Sequence, residues 1–186
     1  MTGMDSTGKH TAPGGSYWNS QSGKFSYQIG KGDNAISYSV NFELTTGDAS
    51  TNTIQNTVSV LPNDSKIFKT VDANGNPIER GGVSDGKSFS VQDQYFGSKT
   101  IGPHEMGHNL GADHSFGLMD AETGGHTENI NRNTISDILY NATGGYENSK
   151  LGGGNYKHSA NAQVKSFEVI GKQPENFNKG KVKKSN

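Results

Sequence analysis

With 186 residues, 29% of them apolar, and 26 glycines, the chain suits one domain that buries one modest core inside long polar loops. The balance of 17 Lys and Arg against 18 Asp and Glu leaves a net charge of −1, so neither nucleic acid nor an anionic membrane is expected as a partner. Cysteine is absent, which excludes disulfides and a thiolate metal site and leaves only His, Asp or Glu to bind a metal.

Along the chain, residues 1–23 are rich in Ser, Thr and Gly and predict a flexible leader, with His10 solvated and Tyr17 and Trp18 available to dock. Residues 24–170 form the expected folded domain, and residues 171–186, with Lys179, Lys181, Lys183 and Lys184, read as a flexible basic tail. Phe25, Tyr27 and Ile29 alternate with polar residues as a short strand. Ile36, Tyr38, Val40, Phe42 and Leu44 alternate strictly and predict a longer strand with one buried face. Residues 45–53 read as a loop, and Thr57 to Leu61 as another strand. Lys66 to Val71 and Pro77 to Arg80 flank Asp72-Ala73-Asn74-Gly75-Asn76, a hairpin signal because Asn-Gly suits turns with positive φ. Ser88 to Gln92 is a further short strand.

A helix is expected from Ile101 to Leu110, with Thr100 as N-cap and Pro103 in the first turn. A second helix reads from Asn131 to Asn141, with Ile135, Ile138 and Leu139 on one face. Residues 144–165 are Gly-, Asn- and Ser-rich, and Val169 with Ile170 could close a last strand. No apolar run reaches membrane-spanning length, and no signal peptide is visible at Met1-Thr2-Gly3-Met4-Asp5. The chain is then cytosolic, a fragment of something larger, or exported by a route that needs no such signal. Delivery as part of a larger polypeptide is the expectation taken forward.

Within the first helix lies His104-Glu105-Met106-Gly107-His108-Asn109-Leu110-Gly111-Ala112-Asp113-His114. Histidines at i and i+4 sit one above the other on one helix face, close enough to share a metal ion. Glu105, beside the first of them, can reach a water on that metal without being a ligand. Gly111 is where the helix should stop, since glycine enters the left-handed region at little steric cost. The chain then turns back, and His114 can supply a third imidazole. Three nitrogens and one open position describe a catalytic zinc site rather than a structural one. Two histidines alone could equally be solvated on a surface helix; Gly111 and His114 at their fixed offsets decide the matter.

The stretch resembles the metzincin clan of zinc endopeptidases, whose long motif is H-E-x-x-H-x-x-G-x-x-H followed by a methionine turn. The resemblance implies that His104, His108 and His114 bind one Zn2+, that Glu105 is the general base, that Gly111 makes the turn, and that Met119 lies under the zinc. It implies an α+β fold: a metzincin-like zincin domain, a twisted mixed sheet with a zinc-binding active-site helix and a C-terminal helix. Three departures stand out. The gap from His114 to Met119 is shorter than in matrixins, no tyrosine follows Met119 as in astacins and serralysins, and no long helix is apparent before residue 98. Either residues 45–57 form a poor helix or the fold is a reduced version. Asp113 is the alternative third ligand; His114 is preferred because it holds the motif position.

His126 and His158 read as loop histidines, with accessory ligation as the alternative, and Asp33, Asp48, Asp72 and Asp85 as turn formers rather than a calcium site. The first functional expectation is a zinc endopeptidase, a monomer, that polarises the scissile carbonyl with zinc and takes the water's proton with Glu105. Its peptide or protein substrate would lie along an edge strand, for which Ser88 to Gln92 is the candidate. The loose leader and compact size resemble the C-terminal metallopeptidase domains of RHS-type polymorphic toxins, which implies a cognate inhibitor or immunity protein. The second expectation is a non-catalytic zinc-binding or adhesion module, against which the retained Glu105 argues.

Overall fold

Among the described residues, short strands and three α-helices make a mixed α+β fold built from small sheets. The computed structural model describes residues 14–44, 57–86, 88–121, 125–142 and 180–185. The expected loops at 45–53 and 144–165, the strand at Val169 and Ile170, His10 and His158 lie outside them. The helices are α1 (Gly15–Asn19), α2 (Ile101–Leu110) and α3 (Arg132–Ala142). The strands are β1 (Phe25–Ile29), β2 (Ile36–Val40), β3 (Thr57–Leu61), β4 (Lys69–Val71), β5 (Pro77–Glu79), β6 (Gly82–Ser84), β7 (Ser88–Gln92) and β8 (Lys181–Lys184).

Alternation builds the first sheet, in the order β2-β1-β8, antiparallel throughout. Phe25, Tyr27 and Ile29 of β1 all point into the core. The strand read as running to Leu44 stops at Val40, and its first apolar residue, Ile36, is 46% exposed. Beyond Val40 the backbone finds side-chain partners in place of a neighbouring strand. Phe42 N donates to Ser22 Oγ at 2.8 Å and Leu44 N to Asn19 Oδ1 at 2.7 Å.

Residues 14–23 and 180–185, assigned by composition to a leader and a tail, belong to the folded body. Trp18, in α1, is fully buried, and its indole Nε1 donates to Pro103 O at 2.9 Å. In β8 Val182 is buried against the core while Lys181, Lys183 and Lys184 are exposed, so the basic run is the wet part of a paired strand. The domain boundaries at 24 and 170 are therefore too narrow.

The single mixed sheet expected above the helix is divided among the described residues. A second three-stranded sheet has the order β3-β7-β6, with β3 parallel and β6 antiparallel to β7, and β4 pairs with β5 as a separate hairpin. Strand β7 is thus central, paired on both sides, and cannot be the edge strand it was expected to be. The outer strand over α2 is β6. At the hairpin, Gly75 takes φ 84°, and Asp72 Oδ1 accepts from Asn74 N and Asn76 N at 2.8 Å each. Asp72 and Asp85 act as turn formers, as their loops suggested; Asp85 Oδ1 accepts from Ser88 N at 2.7 Å.

Helix α2 has the expected limits, although the capping oxygen is Ser98 Oγ, which accepts from Thr100 N at 3.2 Å and Ile101 N at 3.1 Å. Thr100 makes no side-chain cap. Asn131 caps helix α3, its Oδ1 accepting from Asn133 N at 2.8 Å and Thr134 N at 3.0 Å, and the helix, read as starting at Asn131, begins at Arg132 and buries Ile135 and Ile138. If residues 14–23 are part of the core, Trp18→Ala should cost about 3–5 kcal/mol of unfolding free energy in a urea titration. A loss under about 1 kcal/mol would restore the leader reading.

Candidate metal centre

Helix α2 carries His104, Glu105 and His108, and the turn after it carries His114. Gly111 ends the helix at φ 103°, with Gly111 N donating to His108 O and Ala112 N to Gly107 O, both at 2.9 Å. The chain reverses there and brings His114 back beside the two helical rings, whose centroids lie 4.7 Å (His108) and 5.5 Å (His104) from it. One ligand nitrogen from each of His104, His108 and His114 lies within 4.8 Å of the others. Exposure rises from buried His104 to exposed His114, so the centre opens to solvent on the His114 side.

Backbone carbonyls settle the tautomers of the first two rings. His104 Nδ1 lies 2.7 Å from Leu118 O and His108 Nδ1 lies 2.9 Å from Ala112 O. A carbonyl only accepts, so each Nδ1 carries the proton and each Nε2 presents a bare lone pair. Those two Nε2 atoms face one another at 3.1 Å. Two lone pairs at that distance repel unless a proton or a cation lies between them. A shared proton is disfavoured: burial first, then the neighbouring imidazole, hold His104 down to about 3, and burial holds His108 down to about 4. Two nitrogens bound to one zinc at ~2.0–2.1 Å and near-tetrahedral angles lie roughly 3.3–3.4 Å apart. The donor set therefore fits zinc, with each Nδ1–H held by a carbonyl as metal-binding histidines require.

Asp113 stands outside the cluster. Its Oδ1 accepts from His114 N at 2.8 Å, while the imidazole of His114 joins the cluster. Met119 is fully buried at the end of a 3-10 turn, Gly117–Met119, and its O accepts from Ser115 N at 2.8 Å. A Cβ on Gly107 would stand 2.5 Å from Met119 Sδ, so the thioether packs against bare helix backbone directly behind the histidines. The short gap from His114 to Met119 is closed by that Ser115–Met119 hydrogen bond, and the same turn offers Leu118 O to His104.

Glu105 is buried on the adjacent face of α2, where burial pushes its carboxyl up to about 8 and the charge of Arg80 draws it partly back. Strand β6 passes over it at Gly82, where a Cβ would stand 2.6 Å from Glu105 Cγ and 2.7 Å from Oε1. The carboxylate occupies the volume a side chain at position 82 would need. Two further residues border the centre: Arg80, which the sequence does not single out, and His126, which reads there as a loop histidine with accessory ligation as the alternative. Arg80 is felt electrostatically at both Glu105 and His114. His126 lies with its ring centroid 4.5 Å from that of His104. Its residue type makes it a candidate accessory ligand, but the local sequence Gly-Gly-His-Thr-Glu does not distinguish it from a loop histidine.

No protein-family model matches this chain, and no curated protein or solved structure matches it.

Two outcomes follow from the geometry. His114→Ala should weaken zinc binding by more than the ~10–100-fold that loss of an outer hydrogen-bond partner costs, whereas Asp113→Ala should leave it within that range; competition with a chromophoric chelator measures both. For the metal-free protein, pH dependence has two limbs. His104 and His108 titrate near 3 and 4 when folded against an ordinary 6.5, so the unfolded chain takes up protons first and stability falls as pH drops below about 6.5. Burial raises Glu105 from 4.5 to about 8 and Asp137 from 3.8 to about 7, so the folded state holds those protons longer and stability falls as pH rises toward 8. Over 4.5–6.5 the limbs oppose, and the melting temperature should peak there. A steady rise in melting temperature from about pH 5.5 to 8.5 contradicts this assignment of burial.

Proposed function

We propose that this chain is a zinc-dependent endopeptidase whose fold is a metzincin-like zincin domain. The observation that carries the reading is the pair of bare Nε2 lone pairs, 3.1 Å apart, with His114 beside them and the buried carboxylate of Glu105 on the same helix. His104, His108 and His114 would hold the ion. When bound, zinc polarises the scissile carbonyl, lowers the pKa of a water toward ~7, and by its charge favours the ionised form of a nearby carboxylate.

Glu105 is the proton acceptor in this reading. It takes a proton from the attacking water and passes it to the leaving amine. Gly82 keeps β6 close enough to shield that carboxylate from bulk water, and Arg80 adds a positive charge that favours ionised Glu105. The substrate would lie extended along β6, the outer strand above α2, by strand addition. This replaces Ser88 to Gln92, which is interior to its sheet. The alternative, a zinc-binding or adhesion module, has no need to bury a carboxylate on the helix that carries two of the histidines, since desolvating it costs free energy. Delivery as a toxin-like effector, together with a matching immunity protein, rests on composition and stays a corollary of the peptidase reading.

Digestion of casein with and without a chelator tests the activity, alongside zinc content. Glu105→Gln keeps the shape and a hydrogen bond to water but cannot accept the proton. It should retain about one zinc per chain and lose activity by ~10⁴-fold or more. A Gln variant that holds zinc and still cleaves at near the parent rate would move the base to another residue.

A further inference from the structure

We propose that His126 is a substrate-contacting residue of this centre, donating an imidazole N–H to the anionic oxygen that develops on the carbonyl under attack. The proposal rests on the endopeptidase reading and adds to it a residue outside the metal-binding motif.

Among the described residues four imidazoles crowd one place, and only three converge. His104 with His108 and His108 with His114 cross at 84° and 88°, which lets their nitrogens point at a common centre. His126 lies along His104, tilted by 33° at 4.5 Å between centroids much as His114 is tilted by 35° at 5.5 Å, but its nitrogens are not among the three that converge. A positive charge on His126 is nevertheless felt at His104, His108 and His114 alike, so it borders the centre as a whole. It is half-buried, which leaves part of the ring reachable by a ligand.

Its position is fixed by the turn that carries Met119. Thr127 N donates to Gly117 O at 3.2 Å, and Leu118 N donates to Asn129 O at 2.7 Å. On the other side, a Cβ on Gly125 would stand 2.8 Å from Asp120 Cγ, so that backbone is pressed onto the Asp120 carboxyl group. His126 is held between these two contacts. The turn that fastens it also supplies the carbonyl that orients His104, so the fourth ring keeps a set relation to the first ligand. A donor fixed beside a metal, but not bound to it, is arranged to meet charge that appears only during reaction.

The test compares His126→Ala and His126→Asn, the latter keeping an N–H donor, as zinc-loaded and cobalt-loaded full chains. Expected for the Ala variant are unchanged zinc content, KM within about 3-fold, kcat lower by ~10²-fold, and azide affinity of the cobalt form, read from its visible spectrum, weaker by ~10-fold. Asn should restore part of both. Loss of zinc from the Ala variant would make His126 a ligand and overturn the proposal, as would unchanged kcat with unchanged azide affinity. If the zinc-loaded parent cleaves no peptide, the endopeptidase reading fails on its own, and the azide comparison still decides whether His126 donates to an anion there.

Discussion

Two backbone carbonyls, Leu118 O and Ala112 O, fix which nitrogen of His104 and His108 carries a proton. The rest of the centre depends on that choice. Were either ring in the other tautomer, its Nε2–H would point at the other ring and the pair would satisfy itself with an ordinary hydrogen bond. Instead both acceptors lie behind the rings, and two lone pairs are forced together at 3.1 Å. The carbonyls come from the two turns that follow α2, one just past Gly111 and one in the turn ending at Met119. The site is therefore made by the helix together with its exit, and the helical motif alone would not specify it.

Close approach is the second constraint. Gly107 lets Met119 and Trp18 reach the back of α2, and Gly82 lets β6 reach Glu105 on its flank. The helix is thus confined on two sides by elements that touch its backbone or its one buried carboxylate. Such confinement limits how far the imidazoles can shift, since packed interiors respond poorly to small displacements.

Local signals were readable where one residue decides a local outcome. The limits of α2 followed from its periodic histidines, Pro103 and Gly111, and the β4–β5 hairpin from Asn74-Gly75. The nitrogen cluster itself was readable because its three members lie within eleven consecutive residues. Other features depend on partners far along the chain. Trp18 is core because Pro103, 85 positions away, accepts its indole N–H, and nothing in the Gly- and Ser-rich sequence around it says so. Strand β8 contains one apolar residue among lysines, and only the exposed edge of β1 makes it a strand. Whether β7 or β6 is outermost is a property of topology, which a strand's own residues do not encode. His126 belongs to this class too, since its neighbours in space come from α2.

The pairing of β1 with β8 has a consequence for the order of assembly. Gly180 N donates to Tyr27 Oη across 153 positions, whereas the histidine cluster closes over 11. Closing a longer loop carries a larger entropic penalty and is slower. On a ribosome, residues 25–29 leave the tunnel early and wait, one edge open, for residues 181–184. The histidine cluster can come together well before that first sheet is complete. Convergence of the imidazoles and closure of the sheet are in this sense separable, with the imidazoles closing the shorter loop.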